Sequence, residues 1–251
     1  MLVTLLGSGT SSGVPVVGCD CAVCTSTTPE NKRTRSSILL QADGISVLVD
    51  TSTDFRFQAL REGIHRVDAV FYTHSHADHL HGIDDLRQLS RREPIPVFAG
   101  GSTCREIEQR FPYIFRGPAD EDSKPRVTLT RIDGEAVEIG GLSVLPIPVF
   151  HGRLPIYAFR VGPFAYITDC SYIPDESYEL LEGVSCVVID ALRHRPHVTH
   201  FTVEEAIEAV RRIGAERAYL THICHELDHE VLKRELPEGI FPGYDGLKVD
   251  I

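Results

Sequence analysis

The stretch THSHADHLHG, residues 73–82, constrains this chain most, because it places four histidines and an aspartate directly after the apolar run VDAVFY. Such a cluster packs poorly in a core, so it is either an exposed polar loop or a metal site. If a strand ends where this stretch begins, His74 and His76 continue in extended backbone. Side chains two residues apart in extended backbone lie on the same side, so both rings point one way. Asp78 and His79 follow as the chain bends into a helix beginning near LHGIDDLRQL. A tetrahedral zinc takes at most four ligands, so the second pair is available to a second ion.

Three further polar residues stand where a buried strand is predicted to end. His151 closes PIPVFH, Asp169 closes FAYITD and His222 closes AYLTH. Strand ends are a usual place for a site built on a rigid sheet. A single histidine there is typical of a structural residue. Three such endings together with the dense cluster predict a metal centre.

Short strand patterns recur along the chain, over residues 2–7, 36–42, 45–51, 67–73, 96–100, 126–132, 142–149, 164–169, 186–191 and 218–222. The clearest helix is TVEEAIEAVRRIG, in which Thr202 and Glu205 form a capping box and Gly214 suits the stop. Strands in meandering blocks, with helices late in each half, predict an α/β (α+β) fold. The expected form is an αββα sandwich, two sheets covered by outer helices.

Length and composition bound the class of protein. With 251 residues, 42% of them hydrophobic, the chain is long enough for a sizeable core, and it predicts one globular domain over residues 1–251. No apolar run approaches the roughly 20 residues of a membrane span, and the start MLVTLLGSGT lacks the features of a signal peptide, so a cytoplasmic location is expected. The 25 basic and 36 acidic residues give a net charge of −11, which disfavours nucleic acid as a partner.

Three of the seven cysteines lie together in GCDCAVC, as Cys19, Cys21 and Cys24. In a chain without a secretion signal, this spacing favours a metal over disulfides. Three thiolates are one ligand short of a tetrahedral zinc site. By spacing, His225 in THICHE and its neighbour Cys224 are both candidates for the fourth position.

THSHADH matches the H-x-H-x-D-H signature of the metallo-β-lactamase superfamily, and the later strand-end residues fall in that family's order. The sequence resembles this superfamily over essentially its whole length. The resemblance implies the αββα fold and two metal sites that share one ligand. It assigns His74, His76 and His151 to one metal, Asp78, His79 and His222 to the other, and Asp169 to a bridge between them.

The opening GSGTSSGVPVVGCDCAVC, taken with THICHE, resembles the phosphonate-operon cyclic phosphodiesterases, the PhnP-type branch. That resemblance implies a homodimer and a structural zinc held by Cys19, Cys21, Cys24 and His225. His200, in HVTHFTVEEA, resembles the histidine that phosphodiesterase branches, including ribonuclease Z, carry near the metals. Such a histidine donates a proton to a leaving alkoxide or holds a phosphoryl oxygen. The alternative is a histidine that packs against the start of its own helix.

A pair of divalent ions about 3.5–4 Å apart makes hydrolysis the natural reaction. An aspartate at position 169 keeps the shared ligand hard, which suits Zn²⁺ or Mn²⁺ on phosphate substrates. We therefore expect a phosphodiesterase in which a metal-bridging hydroxide attacks a small or cyclic phosphodiester, with His200 and Asp78 as catalytic residues. The alternatives are a ribonuclease Z-like nuclease, a thioester or lactone hydrolase of the same fold, and a zinc-stabilised binding or chaperone module without activity.

Two further segments each have two interpretations, and one histidine has no proposed function. Residues 115–126, FRGPADEDSKPR, form either a plain surface loop or a lid. The run RHRPH, residues 193–197, is either a phosphate-attracting basic patch or a solvated turn. His229, in LDHE, has no ligand partner at useful spacing and is predicted to be solvated.

Overall fold

Two facing sheets of seven strands each form the centre of the computed structural model, which describes residues 1–116 and 123–251. The first sheet contains β1 (Leu2–Gly7), β2 (Ser37–Ala42), β3 (Ile45–Val49), β4 (Ala69–Tyr72), β5 (Ile95–Gly100), β6 (Val127–Ile132) and β14 (Lys248–Asp250). The second contains β7 (Val137–Ile139), β8 (Leu142–His151), β9 (Leu154–Val161), β10 (Phe164–Ile167), β11 (Cys186–Asp190), β12 (Arg217–Thr221) and β13 (Ile240–Pro242).

Short helices connect the strands and cover the outer faces. They are α1 (Ala22–Thr25), α2 (Phe55–Glu62), α3 (Ala77–Leu80), α4 (Gly101–Arg110), α5 (Pro112–Phe115), α6 (Asp175–Leu180), α7 (Val203–Ile213) and α8 (His229–Glu235). Two 3₁₀ segments span Pro29–Asn31 and His81–Arg87. Within the described ranges, none of these helices combines the length and the apolar character needed to cross a membrane.

The two sheets repeat one plan. The strand orders are β14-β1-β2-β3-β4-β5-β6 and β13-β12-β11-β10-β9-β8-β7. Neighbours pair in parallel from β3 to β6 in the first sheet and from β10 to β13 in the second, and the remaining pairs are antiparallel. The predicted αββα sandwich with repeated halves is therefore confirmed.

Three apolar clusters correspond to the three interfaces between the four layers. One lies between the sheets and includes Phe71 and Phe159, whose rings meet edge to face with centroids 5.3 Å apart. The others lie under the helices, around Leu80 on the first sheet and Val210 on the second. Because both faces of each sheet are covered, central strands such as β11, CVVID, are buried at every position.

The predicted helix after residue 202 is confirmed as α7. The Thr202 hydroxyl accepts a hydrogen bond from the Glu205 backbone N–H at 3.1 Å, and the Glu205 carboxylate accepts one from the Thr202 N–H at 2.7 Å. Gly214 ends the helix at φ +79°, a left-handed conformation that glycine adopts without strain. Val203, Ala206 and Val210 face the second sheet, as the 3.6-residue period predicts.

The sequence patterns do not identify β7, β9, β13 and β14. Strand β9 begins at a Leu-Pro pair directly after the tight turn at Gly152, and prolines weaken a strand signal. The helix expected near residue 80 starts earlier, at Ala77, because His76 already has the extended backbone of an N-cap (φ −63°, ψ 152°). The predicted loop or lid at 115–126 includes residues 117–122, which lie outside the described residues.

Replacing Thr202 by alanine removes the capping hydroxyl of α7. We expect Thr202→Ala to lower the free energy of unfolding by about 1 kcal/mol, measured by chemical denaturation. The matched control is Glu208→Ala, an exposed position on the same helix, which should change stability by less than about 0.5 kcal/mol. Equal stability of the Thr202 variant and the wild type would contradict the capping interaction.

Candidate metal centre

Seven predicted ligands meet at one edge of the sandwich, each positioned by the end of a strand or by the turn that follows it. His74 and His76 follow β4, and α3 then places Asp78 and His79 in its first turn. In the second sheet the ligands are His151, Asp169 and His222, at or just after the ends of β8, β10 and β12.

These side chains form two overlapping groups, and within each group the candidate ligand atoms lie within 4.8 Å of one another. The first group is His74, His76, His151 and Asp169, and the second is Asp78, His79, His222 and Asp169. The geometry therefore reproduces the two ligand sets predicted from the sequence, with Asp169 common to both.

The two carboxylate oxygens of Asp169 point to different groups. Its Oδ1 lies 3.0 Å from His79 Nε2 and 3.3 Å from His222 Nε2. Its Oδ2 lies 3.8 Å from His74 Nε2 and 3.9 Å from His151 Nε2. A single buried carboxylate thus offers one oxygen to each set of imidazoles, the arrangement that a bridging ligand requires.

The donor set fits divalent metal ions. The Nε2 atoms of His74, His79 and His222 are buried and have no hydrogen-bond partner anywhere in the described part of the chain. Leaving buried polar atoms unpaired is costly, and native proteins rarely do it without a ligand or water. Imidazole nitrogens and carboxylate oxygens at these distances suit zinc or another first-row divalent ion.

Electrostatics support the same conclusion. Burial alone raises the pKa of the Asp169 carboxyl, but His222, His79 and His74 together hold that pKa well below its usual range. Burial lowers the pKa of His74 and keeps this imidazole neutral, the form that binds metal. Although burial works against the charged ring, Asp169, Asp78 and Asp50 raise the pKa of His79. The carboxylates around this ring therefore stabilise positive charge at this point of the site.

Three residues at strand ends have left-handed backbone, which is uncommon outside glycine. Asp50 has φ +64°, Asp169 has φ +52° and His222 has φ +58°. Such conformations cost of order 1–3 kcal/mol each and concentrate at functional sites. Here they end the strands abruptly, at residues whose side chains belong to the metal centre or contact it directly.

Asp50 orients two of the imidazoles. His79 Nδ1 lies 2.7 Å from Asp50 Oδ2 and donates to it. Thr73 Oγ1 lies 2.9 Å from the same oxygen and 3.0 Å from His74 Nδ1, so the threonine donates to the aspartate and accepts from His74. His151 Nδ1 donates to the Thr199 carbonyl at 2.8 Å. Each of these rings therefore keeps its Nε2 free for a metal.

His200 lies between the two groups. Its ring stacks on that of His222 with centroids 4.5 Å apart and lies 4.7 Å from that of His151. Asp190 Oδ2 accepts from His200 Nδ1 at 3.0 Å and from the Cys170 backbone N–H at 2.9 Å. Burial disfavours the charged ring, yet the Asp190 carboxylate raises the pKa of His200 to about 9.

Asp50 and Asp190 were not predicted as site residues. Both close apolar strand patterns, ISVLVD and CVVID, in the same way that Asp169 closes FAYITD. The same signal was therefore present at all three positions. Asp50 and Asp190 lack the neighbouring histidines that identify the metal motif.

The side chains of the predicted cysteine cluster also lie close together in the fold. His225 Nδ1 lies 3.2 Å from Cys19 Sγ, 3.5 Å from Cys21 Sγ and 3.6 Å from Cys24 Sγ. Zinc bonds of about 2.0–2.3 Å place tetrahedral ligand atoms at about this separation. The Cys24 backbone N–H lowers the pKa of Cys21 to about 6, which favours the thiolate. Cys224 Sγ instead accepts from the Glu226 N–H at 3.4 Å and lies outside the cluster.

Two further sequence predictions concern the basic run at residues 193–197 and the exposure of His229. In the run 193–197, Arg193 and Arg195 both pair with the single carboxylate of Glu226, at 3.3 and 2.7 Å, so one of their two positive charges is compensated. The prediction that His229 is solvated is wrong, because the residue is 5% exposed. Its backbone N–H donates to Asn31 Oδ1 at 2.9 Å, a long-range contact that the local sequence does not show.

Comparisons with known proteins agree with this geometry. The family profile described as the β-lactamase superfamily domain matches residues 46–223. The crystal structure of a new diphosphatase from the PhnP family is 46% identical, with a TM-score of 0.93, and the match covers 99% of this chain and 96% of that one. Zn²⁺-bound PqqB from Methylobacterium extorquens is 21% identical with a TM-score of 0.80 over all of both chains, a likeness in fold.

Two curated relatives carry different activities in their names. An octanoyltransferase of Porphyromonas gingivalis is 40% identical over 98% of this chain, but this chain spans only 51% of that protein's length. A ribonuclease Z of Methanopyrus kandleri is 26% identical over 89% of this chain and 94% of its own.

Asp50→Asn tests the orienting role of that carboxylate. Asparagine tolerates the left-handed backbone but offers one acceptor oxygen in place of two. Either Oδ2, which accepts from His79, or Oδ1, which accepts from the Thr73 backbone N–H at 2.9 Å, is therefore replaced by a donor. We expect metal affinity to fall about 10- to 100-fold, measured by competition with a chromophoric chelator. Asp43→Asn is the control, since Asp43 has φ +50° in an exposed turn. Wild-type affinity in the Asp50 variant would rule out the orienting role.

Proposed function

This chain belongs to the metallo-β-lactamase superfamily and to its PhnP family, and on that premise we propose that it is a dinuclear metal-dependent hydrolase of small phosphodiesters. The observation that carries the proposal is the Asp169 carboxylate, with one oxygen facing each histidine group. The PhnP-family diphosphatase and the ribonuclease Z relative both have names that describe hydrolysis at phosphorus. Substrates with phosphoester or diphosphate bonds are therefore the class to test.

In this proposal the metal ligands divide as the overlapping groups do. His74, His76 and His151 would hold one ion, Asp78, His79 and His222 would hold the other, and Asp169 is common to both sets. When bound, two divalent ions supply a nucleophile at neutral pH and neutralise charge on the phosphoryl oxygens. We assign Zn²⁺ or Mn²⁺ to the pair, since the set combines imidazoles with hard carboxylates.

His200 is the proton donor to the leaving oxygen in this scheme. Asp190 fixes its Nδ1, and the ring packs between His151 and His222, one from each ligand group. A raised pKa keeps the imidazole protonated near neutral pH, as a general acid requires. Asp78, proposed from the sequence as catalytic, acts here as a ligand of the second ion.

We further propose that Cys19, Cys21, Cys24 and His225 hold a structural zinc. Cys19 and Cys24 lie on either side of the Cys21 N-cap of α1, and His225 follows the β12 end that supplies His222. This ion would connect the N-terminal loop to the strand end that carries an active-site ligand. All four positions are protein ligands, which suits a structural role.

A small diester is favoured over RNA. The net charge is −11, and the basic run beside His200 is paired with Glu226. Polyanion binding depends on many Lys and Arg contacts to phosphates, and a net charge of −11 works against it. An assay with a transfer-RNA precursor, run beside cyclic and linear diesters, separates the two substrate classes.

The direct test is hydrolysis of bis(p-nitrophenyl) phosphate by protein that has been stripped with a chelator and reloaded. We expect activity to vanish on stripping and to return with Zn²⁺ or Mn²⁺. Acyl thioesters and lactones serve as the competing substrates. A fully loaded protein that cleaves those esters but no phosphodiester would contradict the proposal.

The leaving group tests His200 separately. We expect His200→Ala to lower kcat about 10²- to 10⁴-fold on alkyl diesters, whose alkoxides need a proton, and much less on p-nitrophenyl diesters. His197→Ala is the control, because that exposed ring lies 5.1 Å from His200 without contacting Asp190 through a hydrogen bond. Equal losses on both leaving groups would mean that His200 acts in another way.

Cys24→Ser tests the structural zinc. The variant should contain one zinc fewer per chain by plasma mass spectrometry and should unfold at a lower temperature, because a structural site stabilises the fold directly. Cys104→Ser, at a cysteine outside the cluster, should change neither quantity. Full zinc content in the Cys24 variant would remove this site from the account.

A further inference from the structure

A cavity of about 200 Å³ lies where β12 and β13 meet helix α8. None of its lining residues belongs to the metal centre or to the cysteine cluster. Its lining includes the rings of Tyr219, Phe241 and Tyr244, and His229 and Lys233 of α8 add an imidazole and an ammonium group. The proposed hydrolase activity makes no use of it.

The walls suit an aromatic ring. Tyr219 and Phe241 stack with centroids 5.7 Å apart and an angle of 29° between their planes. The Tyr244 ring meets His229 edge to face at 5.8 Å. Phe241 is 41% exposed, so part of this apolar surface is open to a ligand. An apolar cavity of about 150 Å³ accommodates benzene, so this one has room for a single ring with a small substituent.

His229 is a buried polar group without a local role. It is 5% exposed, and its Nδ1 has no hydrogen-bond partner among the residues that the structure describes. The Asn31 contact fixes its backbone, so the imidazole is held at the cavity wall. Because this nitrogen is itself fully buried, His229 lines the cavity as a fixed wall, and Lys233 supplies the polar contact.

The charge at the mouth is positive. Lys233 is exposed and has no ion pair within residues 1–116 and 123–251. Behind His229, the buried Arg33 guanidinium hydrogen-bonds neutral oxygens of Asn31, Cys224 and Leu227. Glu30 and Glu230 act electrostatically on His229, and Asp228 and Asp245 act on Arg33, but none of these four carboxylates lines the cavity. The Lys233 ammonium in the lining therefore favours an anionic ligand group.

We infer that this cavity binds a single-ring aromatic carboxylate. The ring packs against Tyr219, Phe241 and Tyr244, and the carboxylate faces the Lys233 ammonium. The inference is independent of the proposed function, since it uses no residue of either metal cluster.

The test is a titration of the metal-loaded, ¹⁵N-labelled protein with benzoate, followed by nuclear magnetic resonance. We expect saturable shifts around residues 219–244 and at least a fivefold weaker Kd in Lys233→Met. Arg234→Met, an exposed change on the same helix that does not line the cavity, should bind as the wild type does. Benzyl alcohol, an uncharged analogue, should show no preference between wild type and Lys233→Met.

A second variant separates the ring from the charge. Phe241→Ala should weaken both benzoate and benzyl alcohol, and unchanged thermal unfolding will show that each variant is folded. Shifts confined to the metal-centre histidines would mean that benzoate is merely a metal ligand, and would overturn the inference. An unchanged Kd in Lys233→Met would overturn it as well.

Discussion

The Asp169 carboxylate is almost fully buried, yet it faces imidazoles on both sides, with Oδ1 toward His79 and His222 and Oδ2 toward His74 and His151. A buried carboxylate is stable only when opposite charge or strong hydrogen bonds compensate the loss of water. Here the compensation is shared between two sheets, because the four histidines follow strands of both. The candidate metal centre therefore lies between the two halves of the sandwich and takes ligands from both.

The surrounding structure maintains this geometry at some conformational cost. Asp50, Asp169 and His222 adopt left-handed backbone at strand ends, and the buried apolar strands before them hold those conformations in place. Asp50 then fixes His79 directly and His74 through Thr73. Asp190 does the same for His200. The rigidity of the sheets is thereby passed to the reactive side chains.

Much of this centre is predictable from the sequence because its information is local. His74, His76, Asp78 and His79 lie within one short segment of the sequence, and the other ligands end apolar runs. Asp50 and Asp190 have the same strand-end signature, but their partners His79 and His200 lie 29 and 10 residues further along the chain, with no spacing motif between them. His229 is held by a hydrogen bond to Asn31, 198 residues away, and such a tertiary contact leaves no local pattern. Strand β9 pairs with its neighbour β8 in a hairpin, but its Leu-Pro start weakens the strand pattern.

The central claim is that Asp169 connects two metal ions. Anomalous diffraction from crystals of the Mn²⁺- or Zn²⁺-loaded protein measures this directly. The account predicts two peaks about 3.5–4 Å apart, with one Asp169 oxygen toward each. A single ion, or two ions of which only one contacts Asp169, would contradict it.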